Sequence, residues 1–177
     1  VLADYGFPDC PPLDVLLVPG GPGTRQEVDN PVLIDWLATR GADAEIISSV
    51  CTGAALLARA GLLDGRAATT NKQAFAWVTE QGPRVRWVRR ARWVDDGRVV
   101  TSSGVSAGID MAVSLVERLA GAEVAERIAT NMEYRRHRDP ADDPFALPGV
   151  DPGARSNRAH EPFTQQGPHI DARGRTG

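Results

Sequence analysis

The stretch Ile46-Ile47-Ser48-Ser49-Val50-Cys51-Thr52-Gly53-Ala54-Ala55-Leu56-Leu57-Ala58 constrains what this chain can fold into more than any other part of it. A β-type run stops at a cysteine, and a helix of small residues starts at once. A strand that turns into a helix with one residue between them needs a sharp turn, and that turn lifts the side chain at its apex out of the sheet. This is the layout of a nucleophile elbow, the G-x-S-x-G arrangement, with Cys51 in place of serine and Gly53 two residues on. Gly53 lacks the Cβ that would obstruct the crossing helix. The helix start brings unpaired N–H groups and a positive dipole end beside the sulfur, which favours thiolate over thiol. Free cysteine is also among the most buried residue types, so the residues alone leave an inert core thiol open as the alternative.

The rest of the chain repeats the strand-then-helix alternation. Leu13–Val18 reads as a strand buried on both faces, followed by the loop Pro19-Gly20-Gly21-Pro22-Gly23. Asn30-Pro31 opens a helix with a cap and an N1 proline, and Gly41 is expected to end it. Glu45–Val50 delivers Cys51, and the elbow helix runs to about Ala60 with Gly61 as its stop. Ala67–Thr70 is a short strand, and Asn71 caps a helix over Lys72–Gln81. Trp87–Val94 and Val99–Ser102 read as strands joined by Asp95-Asp96-Gly97. The small-residue loop from Ser103 to Gly108 leads into a helix with Ile109, Ala112, Val113, Val116 and Leu119 facing inward, and another helix covers Ala122–Tyr134. The pattern predicts an α/β parallel sheet. In such sheets ligands sit outside the carboxyl ends of the strands. Gly20-Gly21, Cys51-Thr52 and Ser102-Ser103-Gly104 each follow a strand directly, so the three loops fall on one edge.

Composition narrows the function classes. A formal charge of −3 gives no reason to expect a nucleic-acid partner. The two cysteines, Cys10 and Cys51, make neither a disulfide framework nor a zinc site, and free thiols suit a reducing cytoplasm. No apolar run approaches the ~18 residues of a membrane span, and no secretory leader is visible. We therefore expect a cytoplasmic protein with no membrane partner. Residues 147–177 shift to Pro, Gly, Arg and His with few apolar side chains, and read as a disordered tail. The histidines are His137, His160 and His169, all at or beyond the end of the last helix, so no Cys-His dyad can be assembled. His137, in a run of arginines, reads as a solvated residue.

Together the blocks Asp14–Gly21, Ser49–Ala54, Ala60–Thr70 and Thr101–Asp110 resemble, in order and spacing, the PfpI/ThiJ family within the class I glutamine amidotransferase-like fold. The resemblance implies a flavodoxin-like parallel sheet sandwiched by helices, with residues 1–146 as the domain. It implies Cys51 as nucleophile, with the backbone N–H groups of Gly21 and Thr52 as an oxyanion hole. Gly20, Ser103 and Gly104 would contact a small-molecule substrate. It implies no metal and no organic cofactor, and a homodimer. Peptidase- and amidase-like members resemble Cys-His-Gly at the elbow, whereas Cys51-Thr52-Gly53 looks like the isonitrile hydratase branch and the sensor domains of AraC-type regulators. The expected activity is cysteine-dependent hydration of an isonitrile through a thioimidate to a formamide. The alternatives are a metabolite or redox sensor, or a family member of low activity. Full-length relatives begin with a strand and helix that place an acidic residue beside the cysteine. Nothing in this chain matches that part, so the domain is expected to be incomplete at its N-terminal side and to expose an apolar sheet edge.

Overall fold

The computed structural model describes residues 2–146. The expected tail, residues 147–177, lies outside them. The main sheet has four strands in the order β1 (Val15–Val18), β2 (Ile46–Val50), β6 (Val99–Ser102) and β5 (Trp93–Asp96). β1, β2 and β6 are parallel and β5 is antiparallel to β6. A parallel pair, β3 (Ala67–Ala68) with β4 (Arg86–Trp87), forms a second small sheet. Helices cover both faces of the main sheet, as the α/β flavodoxin-like expectation requires.

One face carries Leu16, Val18, Ile47 and Val99, packed against α2 (Pro31–Asp43) and α3 (Gly53–Arg59) through Leu37, Ala54 and Leu57. The other carries Ile46 and Val100 against Met111 of α5 (Val105–Ala120). Outside α5 lies α6 (Ala122–Asn131), joined to it through Val113, Ala125 and Ala129. The short α1 (Thr24–Glu27) and α4 (Phe75–Glu80) complete the set. No helix among the described residues is long and apolar enough to cross a membrane. β1 is an edge strand. Its Val15 and Leu17, opposite Ile46 and Ser48 and thus on the α5 face, are 40% and 49% exposed.

Several boundaries differ from the sequence reading, each for a tertiary reason. Gly41 does not end α2. It lies within the helix because a Cβ there would stand 2.5 Å from Leu62 Cδ1, so this glycine serves a close packing contact. Asn71 does cap, its Oδ1 accepting from the Gln73 and Ala74 N–H groups, but the regular helix starts only at Phe75. The run Trp87–Val94 is not one strand: β4 ends at Trp87 and β5 starts at Trp93. Between them the Arg92 and Trp93 N–H groups turn to the Pro140 carbonyl. The hairpin turn falls on Gly97-Arg98, with Asp95 and Asp96 closing β5, because the Asp96 carboxylate accepts from the Ala67 N–H at 2.7 Å. On α5 the buried set is Ala107, Gly108, Asp110, Met111 and Val113, while Ala112 and Leu119 are exposed. Gly108 lies against Val50, and Asp110 can turn inward because Arg92, Tyr134 and the His137 N–H all bond its carboxylate. α6 ends at Asn131, closed by Glu133 at φ +51 and a bond from Tyr134 N to the Ala129 carbonyl.

Candidate active site

Cys51 has φ +59, one of two such non-glycine residues among those described. A left-handed conformation costs an L-residue with a Cβ roughly 1–2 kcal/mol, so the surroundings must hold it. They do so from both sides of the sheet edge. The Cys51 N–H donates to the Ser102 carbonyl at the end of β6. The Cys51 carbonyl accepts from Thr70 Oγ1 at 2.8 Å, from the loop after β3. The thiol is half-buried.

Two glycines let the backbone of the first loop reach this turn. A Cβ on Gly53 would stand 2.2 Å from the Val18 carbonyl oxygen, a contact no side chain could make. A Cβ on Gly20 would stand 2.7 Å from Thr52 N and 2.9 Å from Cys51 Cβ. The end of β1 and the start of α3 therefore touch backbone to backbone. α3 closes as a Schellman motif, with Leu62 N bonded to Leu57 O and Gly61 N to Ala58 O, and Gly61 at φ +75.

Thr52 is the hub of a small polar knot. Its Oγ1 accepts from the Gly21 N–H at 3.0 Å and lies 3.0 Å from Thr24 Oγ1 and 3.3 Å from the Gly21 carbonyl oxygen, and that carbonyl accepts from Thr24 Oγ1 at 2.7 Å. The Gly21 N–H, expected as an oxyanion donor, thus points at the Thr52 hydroxyl. An oxyanion there would have to replace that hydroxyl or share the donor with it. Cys51, Thr52, Gly20 and Gly21 are brought together as one cluster.

Ser103 and Gly104 stand beside it, on the wall of a cavity of about 640 Å³ that also touches Asn71, Lys72, Arg89 and Asp143. The size suits a small organic ligand. The cavity adjoins the elbow through its two backbone anchors: Ser103 follows Ser102, and Asn71 follows Thr70. Its polar wall is a buried charge cluster. Asp143 Oδ2 accepts from Ser103 Oγ at 2.6 Å and pairs with Lys72 Nζ at 3.4 Å, with 1% and 6% of the two charged side chains exposed. The Lys72 ammonium also donates to Thr69 Oγ1 at 2.9 Å and to the Ala91 carbonyl at 2.6 Å, and reaches the Thr70 carbonyl at 3.4 Å. Burial pushes its pKa down to about 8. The Asp143 carboxylate offsets part of this, and the Arg89 guanidinium adds to the lowering.

A second buried pair lies behind the cavity, where Arg92 Nε and Nη2 bond Asp110 Oδ2. Tyr134 donates to the other carboxylate oxygen, and its pKa is raised by burial and by that bond to Asp110. His137 pairs with Asp142 at 3.2 Å on a half-exposed segment. His160 and His169 lie outside the described residues. The large apolar residues that could have walled a pocket, Phe75, Trp93 and Met111, are core side chains, and Trp77 lies half-buried under the Arg25 guanidinium. Sequence reasoning missed Thr24, Thr70, Lys72 and Asp143. Thr70 was within reach, since it is the last residue of an expected strand. Asp143 carried no local signal, because its partners Ser103 and Lys72 belong to the loops of other strands.

Comparison with known proteins agrees with the α/β fold. Residues 1–118 match the DJ-1/PfpI family. The chain is 37% identical over 128 residues to the isonitrile hydratase of Pseudomonas putida, covering 72% of this chain and 55% of that protein. It is 33% identical over 142 residues to the HTH-type transcriptional regulator GbdR of Pseudomonas aeruginosa, covering 80% of this chain and 38% of the regulator. The crystal structure of a ThiJ/PfpI family protein from Pseudomonas syringae superposes with a TM-score of 0.67 at 34% identity, covering 74% of this chain and 54% of that one. The chain thus spans about half the length of these relatives or less.

Proposed function

The chain belongs to the DJ-1/PfpI family, and from that premise we propose that it performs cysteine-dependent hydration of a small isonitrile. The observation that carries the reading is Cys51 at φ +59 on a turn gripped by Gly20, Gly53, Ser102 and Thr70. Nothing in a purely structural turn calls for a half-buried thiol at a strained apex, whereas a nucleophile needs that placement.

In the proposed reaction the Cys51 thiolate attacks the terminal isonitrile carbon. The C–S bond forms as the carbon takes up a proton, giving a thioimidate, R–N=CH–S–Cys51. Water adds to that carbon, the C–S bond breaks, the sulfur leaves as thiolate, and the product is the N-substituted formamide R–NH–CHO. One isonitrile and one water are consumed, and the cysteine is regenerated. Thr52 holds the adduct or the water through its hydroxyl, Gly21 and Thr52 offer backbone donors, and Gly20, Ser103 and Gly104 border the substrate. A general acid beside the thiol would contribute roughly 10²–10⁴-fold, and we assign that role to no residue of this chain. No amine is expelled, so the absence of a histidine next to Cys51 weighs less here than in amide hydrolysis. The reading takes the protein as a cytoplasmic homodimer, by analogy with the family.

A second reading, a non-catalytic metabolite or redox sensor, is favoured by the similarity to GbdR and by the occupied Gly21 N–H. The deciding experiment incubates the protein with cyclohexyl isocyanide and, separately, with a fluorogenic peptide, with Cys51→Ala as control. Cysteine-dependent appearance of N-cyclohexylformamide supports the hydratase. Peptide cleavage without formamide sinks it, and turnover of neither substrate favours the sensor.

A further inference from the structure

The group that grips the nucleophile's own peptide is Thr70, fully buried, with Oγ1 2.8 Å from the Cys51 carbonyl oxygen. The conformation of Cys51 is strained, so the bond that fixes its carbonyl helps decide where the sulfur points. Thr70 is itself held from behind. Thr69 N–H donates to Thr101 Oγ1 at 2.8 Å and Thr69 Oγ1 to the Ala91 carbonyl at 3.2 Å. Lys72 then ties Thr69 Oγ1, the Thr70 carbonyl and the Ala91 carbonyl together.

A buried ammonium is a costly brace for a turn that neutral donors could hold. This one has its counterion on a different part of the chain. Asp143 sits in the segment from Asp139 to Ala146, which is docked by the Arg92 and Trp93 N–H groups on the Pro140 carbonyl and by Ser103 on Asp143. The charged groups that face Lys72 are Asp143 from this segment and Arg89 from the connection between β4 and β5. One continuous set of contacts therefore joins the cavity wall to the carbonyl of the reactive residue.

We propose that Thr70 is a positioning residue for Cys51, and that Lys72 with Asp143 sets the position of Thr70. The segment from Asp139 to Ala146 thereby governs the reactivity of the thiol. The proposal rests on Cys51 being the reactive cysteine, and it does not depend on which substrate the protein takes.

The test uses iodoacetamide on the full chain, with the modification rates of Cys51 and Cys10 read separately by peptide mass spectrometry and a melting curve for each variant. Cys10, whose Sγ donates to the carbonyl of the next residue, serves as the internal reference. Thr70→Val should slow Cys51 by roughly fivefold relative to Cys10, the rate equivalent of one ordinary hydrogen bond. Thr70→Ser, which keeps the hydroxyl, should stay within about twofold of the parent on that scale. Asp143→Asn should slow Cys51 by a smaller factor in the same direction, which keeps the test alive if Thr70→Val does not fold. An unchanged Cys51-to-Cys10 ratio in folded Thr70→Val or Asp143→Asn overturns the proposal, as does an equal loss in Thr70→Ser. If the parent's Cys51 is itself no faster than Cys10, the nucleophile reading falls first and the proposal with it.

Discussion

The elbow and the cavity wall beside it meet through Thr70 and Ser102, yet they are built on opposite principles. Among the described residues, the bonds shown at Cys51 are its N–H to the Ser102 carbonyl and the Thr70 hydroxyl to its own carbonyl. The turn is held by backbone approach at Gly20 and Gly53, by a strained φ, and by hydroxyls from Thr24, Thr52 and Thr70. The wall is held by buried charge, with Lys72 against Asp143 and Arg92 against Asp110. Backbone approach tolerates no added atom and is insensitive to pH. Buried ion pairs tolerate conservative changes of shape but depend on protonation. The elbow is therefore the rigid partner and the wall the adjustable one, an arrangement suited to fixed chemistry beside a tunable binding surface.

The largest expected effect breaks the rigid side. Gly53→Ala would place a Cβ 2.2 Å from the Val18 carbonyl oxygen, and neither atom can move without shifting α3 off β1. We expect a loss of about 3 kcal/mol or more in urea unfolding, at the upper end of what overpacking costs. A loss under about 1 kcal/mol would mean that the α3–β1 approach yields easily, and the contrast between the two regions would dissolve.

The next effect belongs to the wall and is read in pH. The folded pKa of Lys72 is about 8 against an ordinary value of 10.5. Below pH 8 both folded and unfolded chains hold the proton, and the full cost of burying the charge is present. Between 8 and 10.5 the folded protein has released the proton and the unfolded chain has not, so stability rises with pH. The total rise is on the order of 3 kcal/mol. The raised pKa of Tyr134 acts with the opposite sign above pH 10, so the quantity to measure is the difference between the parent and Lys72→Met across pH 7 to 10.5. The parent should gain on the variant with rising pH. A difference that is flat in pH would show that the ammonium is not desolvated in the fold.

That division also explains what could be read from the sequence. The elbow was legible because its determinants are local: a strand, Cys51, Gly53 and the two glycines at the end of the preceding strand, all within the spacing of one βαβ unit. The sheet edge on which the loops gather was legible for the same reason. The wall was not, since Asp143 lies 40 residues from Ser103 and no periodicity announces that pairing. The same long-range bonds displaced the expected boundaries. Pro140 broke the anticipated strand Trp87–Val94, and the partners of Asp110 turned the buried face of α5 away from Ala112 and Leu119. Local rules fix a turn, whereas a buried charge finds its partner only in the finished fold.

Thr52→Val sharpens the comparison at the polar knot of the elbow. It removes the acceptor of the Gly21 N–H and the partner of Thr24 Oγ1 while keeping the volume. The hydrogen bonds lost are part-buried, so a destabilisation of about 1–1.5 kcal/mol is expected in the same unfolding assay. Freed of the hydroxyl, the Gly21 N–H can meet an oxyanion directly. If Thr52 acts only by occupying that donor, turnover of cyclohexyl isocyanide should survive the change. If its hydroxyl holds the adduct or water, turnover should fall by more than about tenfold with substrate affinity little altered. A Thr52→Val protein as stable as the parent would remove the knot from the list of what holds the elbow.

The smallest expected effect isolates backbone strain from chemistry, through two substitutions that both delete the thiol. Residue 51 sits at φ +59, where glycine is at ease and alanine is not. Cys51→Ala keeps the strain, while Cys51→Gly relieves it at the cost of a more flexible unfolded chain. The two terms, roughly 1–2 kcal/mol of relief against 0.5–1 of added chain entropy, leave Cys51→Gly more stable than Cys51→Ala by about 0.5–1 kcal/mol. Both lack the nucleophile, so any difference between them in urea unfolding reports the turn alone. An alanine variant equal to or more stable than the glycine one would mean that residue 51 relaxes out of the left-handed region. The apex would then not be held under strain, and the rigid half of the comparison would lose its central residue.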